Sequence, residues 1–149
     1  MIRVQREDFD TGIELERLAA GDPGVGGVAS FIGLVRDKGL DGVSALILEH
    51  YPGMTEKKLA EIEAEANRRW PLSASLVIHR YGRLEPGERI VLVATASPHR
   101  EAALAACHFL IDWLKTEAPF WKSEETPQGE RWVEARAEDD EATRRWRGE

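Results

Sequence analysis

Apolar positions along this chain fall into two periods, one near 3.6 and one near 2. Over 11–20, Ile13, Leu15 and Leu18 stand among charged neighbours and predict a helix, stopped by Gly21-Asp22-Pro23-Gly24. Leu59, Ile62, Ala66 and Trp70 fall at helical spacing with Glu61, Glu63, Glu65 and Arg68 between them. That stretch predicts a second helix, opened by Thr55 as N-cap with Glu56 just inside and closed by Pro71. A third is predicted from about Arg100 to Glu117, its buried stripe being Ala103, Cys107, Leu110, Ile111 and Leu114, with Pro119 beyond its end. Strands are expected at Ile2–Gln5, Val25–Val35, Val43–Glu49, Leu76–Tyr81 and Ile90–Ala96, and two shorter ones at Phe120–Thr126 and Arg131–Ala135. Val25–Val35 should bend or bulge at Gly26-Gly27 and Gly33. A polar turn over 37–42 would make it a hairpin with Val43–Glu49, and Glu85-Pro86-Gly87-Glu88 would turn the next pair. The charged stretch 138–149 reads as a loose tail or a solvated helix. Paired strands separated by helices favour an α+β fold with a mostly antiparallel sheet and about three helices, in one domain over 1–149.

Composition narrows the classes. The net charge of −7 speaks against general affinity for nucleic acid or anionic lipid. One cysteine, Cys107, cannot form an internal disulfide, and its apolar helical setting suits a buried structural thiol. No run of 18 apolar residues is present. The start, MIRVQREDFD, is too polar for a signal peptide, so a cytoplasmic protein is expected.

On an acidic chain, local gatherings of cations stand out, and there are two: Ser97-Pro98-His99-Arg100 and the stretch from Lys115 to Lys122. Taken alone, Lys115 complements a helix C-terminus and Lys122 is a strand residue between aromatics. The Pro119 break lets the chain turn back, however, so both ammonium groups could reach one pocket. Two close cations depress each other's pKa, which frees one amine as a base or nucleophile. Ser97–Arg100, at the head of the third helix, is either an ordinary N-terminus capped by Ser97 or an anion site. Arg36, leaving a strand beside glycine, is either a polar loop start or a forked donor to phosphate. His50, His79 and His108 have no metal-ligand spacing, and no metal or cofactor is expected. Arg100 and Lys115 at opposite ends of one helix would be about 22 Å apart at 1.5 Å per residue. Either they serve different ligands, or a pocket joins the helix head of one chain to the helix tail of another.

Several blocks, in order, resemble the molybdopterin synthase large-subunit family: Phe31-Ile32-Gly33-Leu34-Val35-Arg36, Leu48-Glu49-His50-Tyr51-Pro52-Gly53-Met54 and Ile78-His79-Arg80-Tyr81-Gly82. So do Ser97–Arg100, Lys115-Thr116-Glu117-Ala118-Pro119-Phe120-Trp121-Lys122 and Arg131-Trp132-Val133-Glu134-Ala135. The resemblance implies a hammerhead-like α+β fold assembled as a central homodimer, with one small ubiquitin-like sulfur carrier on each subunit. It implies that the carrier's C-terminal Gly-Gly thiocarboxylate delivers sulfur to cyclic pyranopterin monophosphate, two rounds giving the dithiolene of molybdopterin. By position, Lys115 and Lys122 would be catalytic. Phe31, Leu34, Val35, Arg36, His99, Arg100, Ser123 and Glu124 would bind substrate, Ser123 standing where many such relatives have a second lysine. Rival classes are an inactive scaffold for a ubiquitin-like partner, and a free-standing phosphatase or cyclic phosphodiesterase.

Overall fold

The computed structural model describes residues 1–37, 45–133 and 137–148. In chain order these form β1 (Ile2–Gln5), α1 (Thr11–Ala19), β2 (Gly27–Leu34), β3 (Ala45–His50), α2 (Met54–Arg69), β4 (Ala74–Arg80) and β5 (Gly82–Leu84). They continue with β6 (Arg89–Ser97), α3 (Arg100–Glu117), β7 (Phe120–Thr126), β8 (Gly129–Val133) and α4 (Ala137–Arg147). Two four-stranded sheets result, ordered β1-β4-β6-β2 and β5-β3-β7-β8. The β1–β4 pair is parallel and the other pairs are antiparallel. The expected α+β class therefore holds.

Helices cover both faces of the first sheet, which explains the unbroken apolar runs of β4 and β6. Side chains alternate across a strand. Val77, Val91 and Val93 point to one face, where α2 and α3 bring Leu59, Ile62, Ala66, Phe109, Leu110 and Leu114. Leu76, Ile78, Leu92 and Ala94 point to the other, where Phe9, Leu15 and Leu18 close over them. Val35, Leu48 and Leu84, with Leu46, Tyr81 and Ile90 against them, fill the seam between the sheets. No helix among the described residues is long and apolar enough to cross a membrane.

Four expectations need correction. β2 and β3 do not pair with each other; β2 pairs with β6, and β3 lies between β5 and β7 in the second sheet. Periodicity shows that a segment is a strand but not which neighbour it meets. β5 is a strand where none is expected, because its three residues carry too little pattern. Thr55 is not the N-cap of α2. Gly53 is, at φ +84°, with its N–H donating to the Glu56 carboxylate at 2.5 Å, while the buried Thr55 hydroxyl donates to the Tyr51 carbonyl. Helices number four among the described residues, since the charged C-terminal stretch forms α4. The turn expected over 37–42 lies outside the described residues apart from Asp37, as do the start of the third predicted strand at 43–44 and the end of the last at 134–135.

Candidate functional site

The chain passes from the first sheet to the second at Tyr81-Gly82, between β4 and β5. Gly82 sits at φ +93°, a conformation that side chains with a Cβ rarely adopt, so the corner depends on glycine there. Just before it, His79 pairs with Val91, and Val91 with Gly33, forming one row across β4, β6 and β2. α3 runs back along β6 and ends above this row, which places Lys115 there. The turn at Ala118-Pro119 then sends β7 along β3, with Phe120 opposite His50 and Lys122 opposite Leu48. Phe120 and Lys122, two apart, share one strand face.

A cavity of about 560 Å³ opens where these elements meet. Its walls include Phe31, Gly33 and Leu34 of β2, Leu46 and Leu48 of β3, and His79 of β4. Lys115, Phe120, Trp121, Lys122 and, from α4, Asp139 complete the part that matters for charge and stacking. Both lysines therefore border one recess, as the proline break suggested. Lys115 is exposed and Lys122 half-buried. His79 is buried and stacks on Phe120 at 3.7 Å between ring centroids, 17° from parallel. Burial first, then the charges of Lys115, His50 and Lys122, hold the imidazole pKa down to about 4, while the Arg80 carbonyl pulls it upward. A larger recess of about 760 Å³ lies between α1, α2 and β4, but most of its charges are paired already, Arg3 with Glu14 and the Met1 amine with Glu63, while Arg17 lines it too.

The remaining predicted residues spread out. Phe31 and Leu34 line the cavity, whereas Val35 is buried in the seam with Leu48 and Leu84. Arg36 is exposed just beyond β2. Ser123 and Glu124 are buried in β7 and do not line the cavity. His99 and Arg100 stand at the far end of α3, against the start of β2. A Cβ on Gly27 would lie 3.5 Å from the Arg100 Cα, and one on Gly26 would collide with the Pro98 carbonyl at 2.0 Å. His99, not Ser97, is the N-cap; the Ser97 hydroxyl donates to the Pro71 carbonyl. Cys107 is buried, and burial pushes its thiol up to about 11, which suits structure rather than reactivity. Among the described residues, no cluster of three His, Cys, Asp or Glu side chains could hold a metal ion.

Comparison with known proteins gives these positions a context. Residues 4–117 match the family model described as MoaE protein. The chain belongs to that family. It is 60% identical to a molybdopterin synthase catalytic subunit of Ralstonia nicotianae, over 97% of this chain and 83% of that one. A protein of the same name from Pseudomonas aeruginosa is 56% identical, with 97% of each covered. The solved structure of a molybdopterin biosynthesis MoaE protein from Burkholderia ambifaria superposes with a TM-score of 0.86 at 54% identity, covering 100% of this chain and 99% of that one.

Within this MoaE-family chain, sequence reasoning missed His79 and Asp139 as members of the cavity wall. A sequence signal existed for His79, since it lies in the Ile78–Gly82 block that carries the family resemblance. Asp139 had none, because a charged terminal stretch does not disclose which surface it folds against.

Proposed function

We propose that this chain is the catalytic subunit of a molybdopterin synthase. It transfers sulfur from the C-terminal thiocarboxylate of a small ubiquitin-like carrier to cyclic pyranopterin monophosphate, forming the dithiolene of molybdopterin in the cytoplasm. The observation that carries this reading is the meeting of Lys115 and Lys122 on one recess at the junction of the sheets. Phosphate, thiocarboxylate and the oxyanion that develops as sulfur attacks are all anionic. Fixed cations in a cavity that excludes much of the water stabilise each of them more than water does. Lys115, at the mouth, is suited to carry protons as sulfur replaces oxygen, with Lys122 holding charge deeper in the wall. Phe120 and Trp121 offer apolar flanks to an extended Gly-Gly tail.

Arg36, His99 and Arg100 would bind the pterin phosphate, and the fold bears on how. Fifteen helical steps separate Arg100 from Lys115, about 22 Å along the axis. A small phosphorylated heterocycle does not readily bridge that distance within a single chain. A homodimer that sets the helix head of one copy beside the cavity of the other resolves this. β2 supports such an assembly: it is an edge strand with Val28, Phe31, Ile32 and Leu34 exposed.

The test is a reconstituted reaction with purified chain, thiocarboxylated carrier and the cyclic pterin. Dithiolene should form only when the carrier is present. Lys115→Ala should lower turnover by roughly 10²–10³-fold, the usual cost of removing one preorganised stabilising group. Phosphate-ring opening without carrier would point instead to a phosphodiesterase, carrier binding without reaction to a scaffold, and full turnover by Lys115→Ala would remove the lead residue.

A further inference from the structure

His79 lies in the cavity wall with its ring fixed on two sides. Its Nδ1 is 2.8 Å from the Arg80 carbonyl oxygen. A carbonyl only accepts, so Nδ1 must carry the hydrogen and donate. Phe120 stacks on the ring face and prevents it from flipping. In a neutral ring held this way, Nε2 is the bare acceptor. It is not among the fully buried atoms lacking a partner, and among the described residues no hydrogen bond is made to it. His79 itself lines the cavity, which is where an acceptor at Nε2 meets a ligand or a neighbouring side chain.

The charged and titratable groups that act on this ring or share its cavity come from four elements: Lys115 of α3, Lys122 of β7, His50 of β3 and Asp139 of α4. Three of them oppose a proton on the ring. With the Arg80 bond occupying Nδ1, the imidazole can only accept from the cavity. An uncharged acceptor there has a property that a carboxylate would lack. It orients an ammonium group without cancelling its charge, so the field on an anionic substrate is preserved. Of the two lysines, Lys115 exerts the larger effect on the ring, and its exposed side chain has the freedom to turn inward.

We propose that His79 is a positioning residue for the lysine pair: its Nε2 accepts an N–H of the Lys115 ammonium as that side chain turns in over bound substrate. The assignment rests on the synthase reading of the same cavity. It takes His79 out of the class of satisfied core histidines, where its Arg80 bond and its stacking alone would put it.

Two substitutions separate the ring's two nitrogens. His79→Asn keeps a donor near the Arg80 carbonyl and leaves nothing at the place of Nε2. His79→Gln puts a side-chain acceptor near that place. Losing a hydrogen bond to a charged group should lower kcat in the Asn variant about tenfold to a hundredfold, with KM for the carrier unchanged. His79→Gln should restore most of that loss. Wild-type kcat in the Asn variant, or a Gln variant no better than Asn, would overturn the proposal. Nitrogen-15 NMR of the unmodified chain decides the matter if the variants do not fold. A bare Nε2 at neutral pH supports it, and a bare Nδ1 overturns it. If wild type makes no dithiolene, the synthase reading fails, while NMR still decides which ring nitrogen of His79 is bare.

Discussion

A histidine kept neutral inside a cavity leaves a mark on the stability of the whole chain. His79 has a pKa near 4 when folded, against 6.5 without the fold, chiefly because burial disfavours its charged form. Between those values the unfolded chain binds a proton that the folded chain refuses. Stability contributed by the neutral ring is therefore complete above about pH 6.5 and declines as pH falls toward 4. At about 1.4 kcal/mol per pKa unit, the full loss is on the order of 3 kcal/mol. Glu14, whose hydrogen bond to Arg3 lowers its pKa, adds a separate loss at more acidic pH. Urea unfolding of wild type and His79→Gln from pH 7 to 4.5 separates the two, since only wild type should lose stability through the His79 window. Parallel curves across that range would mean that the ring is protonated in the fold or solvated. The lysine pair was legible in the sequence at this scale because Pro119 forces a reversal between Lys115 and Lys122. The state of His79 was not, because it depends on a carbonyl one residue away and a ring 41 positions further along, and strand periodicity encodes neither.

Among the elements, α4 is where charge pattern and packing part company. Its sequence is mostly charged, yet it is docked by a few specific contacts rather than by an apolar stripe. The Trp146 indole N–H donates to the Asp112 carboxylate at 2.7 Å, and the ring meets Trp70, Phe109 and His108 edge-on. The Thr143 hydroxyl lies 2.6 Å from that of Thr116, and Arg69 donates to the Trp146 carbonyl. These contacts hold the helix on α3 and bring Asp139 to the cavity. Trp146→Ala removes an aromatic anchor and the indole N–H that Asp112 accepts, leaving that carboxylate beside His108 Nε2 alone at 3.2 Å among the described residues. A loss on the order of 2–3 kcal/mol is expected, below the full range for a completely buried tryptophan because this one is only half-buried. Hydrogen exchange should then speed up about tenfold or more at α4 amides while β6 changes much less. Equal protection of α4 in both proteins would show that Trp146 does not anchor it. The three longer-patterned helices were legible because their apolar residues repeat at 3.6. α4 stayed open as tail or solvated helix because one tryptophan and one threonine make no period.

At the scale of the whole molecule, the separation of the two cationic groups becomes a statement about assembly. α3 is 18 residues long and has no break, so His99-Arg100 and Lys115 stay at its opposite ends whatever their side chains do. The sequence yielded this separation from helix rise alone, and the structure adds that Arg100 lies by Gly27 at the end of β2 remote from the Gly33 row. What the sequence could not supply was the exposed apolar edge of β2, because its hairpin partner was misassigned. If the pterin site is shared between two copies, a chain with Arg100→Ala and a chain with Lys115→Ala should each be impaired as pure dimers. In a mixed dimer, the cavity that keeps Lys115 faces the copy that keeps Arg100, so one of the two sites is intact in both contributions. With a two-fold symmetric interface and random exchange of subunits, half the dimers are mixed, and the mixture should recover about a quarter of wild-type turnover. Isolating the mixed dimer through two different affinity tags should raise that to about half. Recovery no greater than the sum of the two pure variants would confine each site to one chain, and Arg100 would then have to act on something other than the anion held by Lys115.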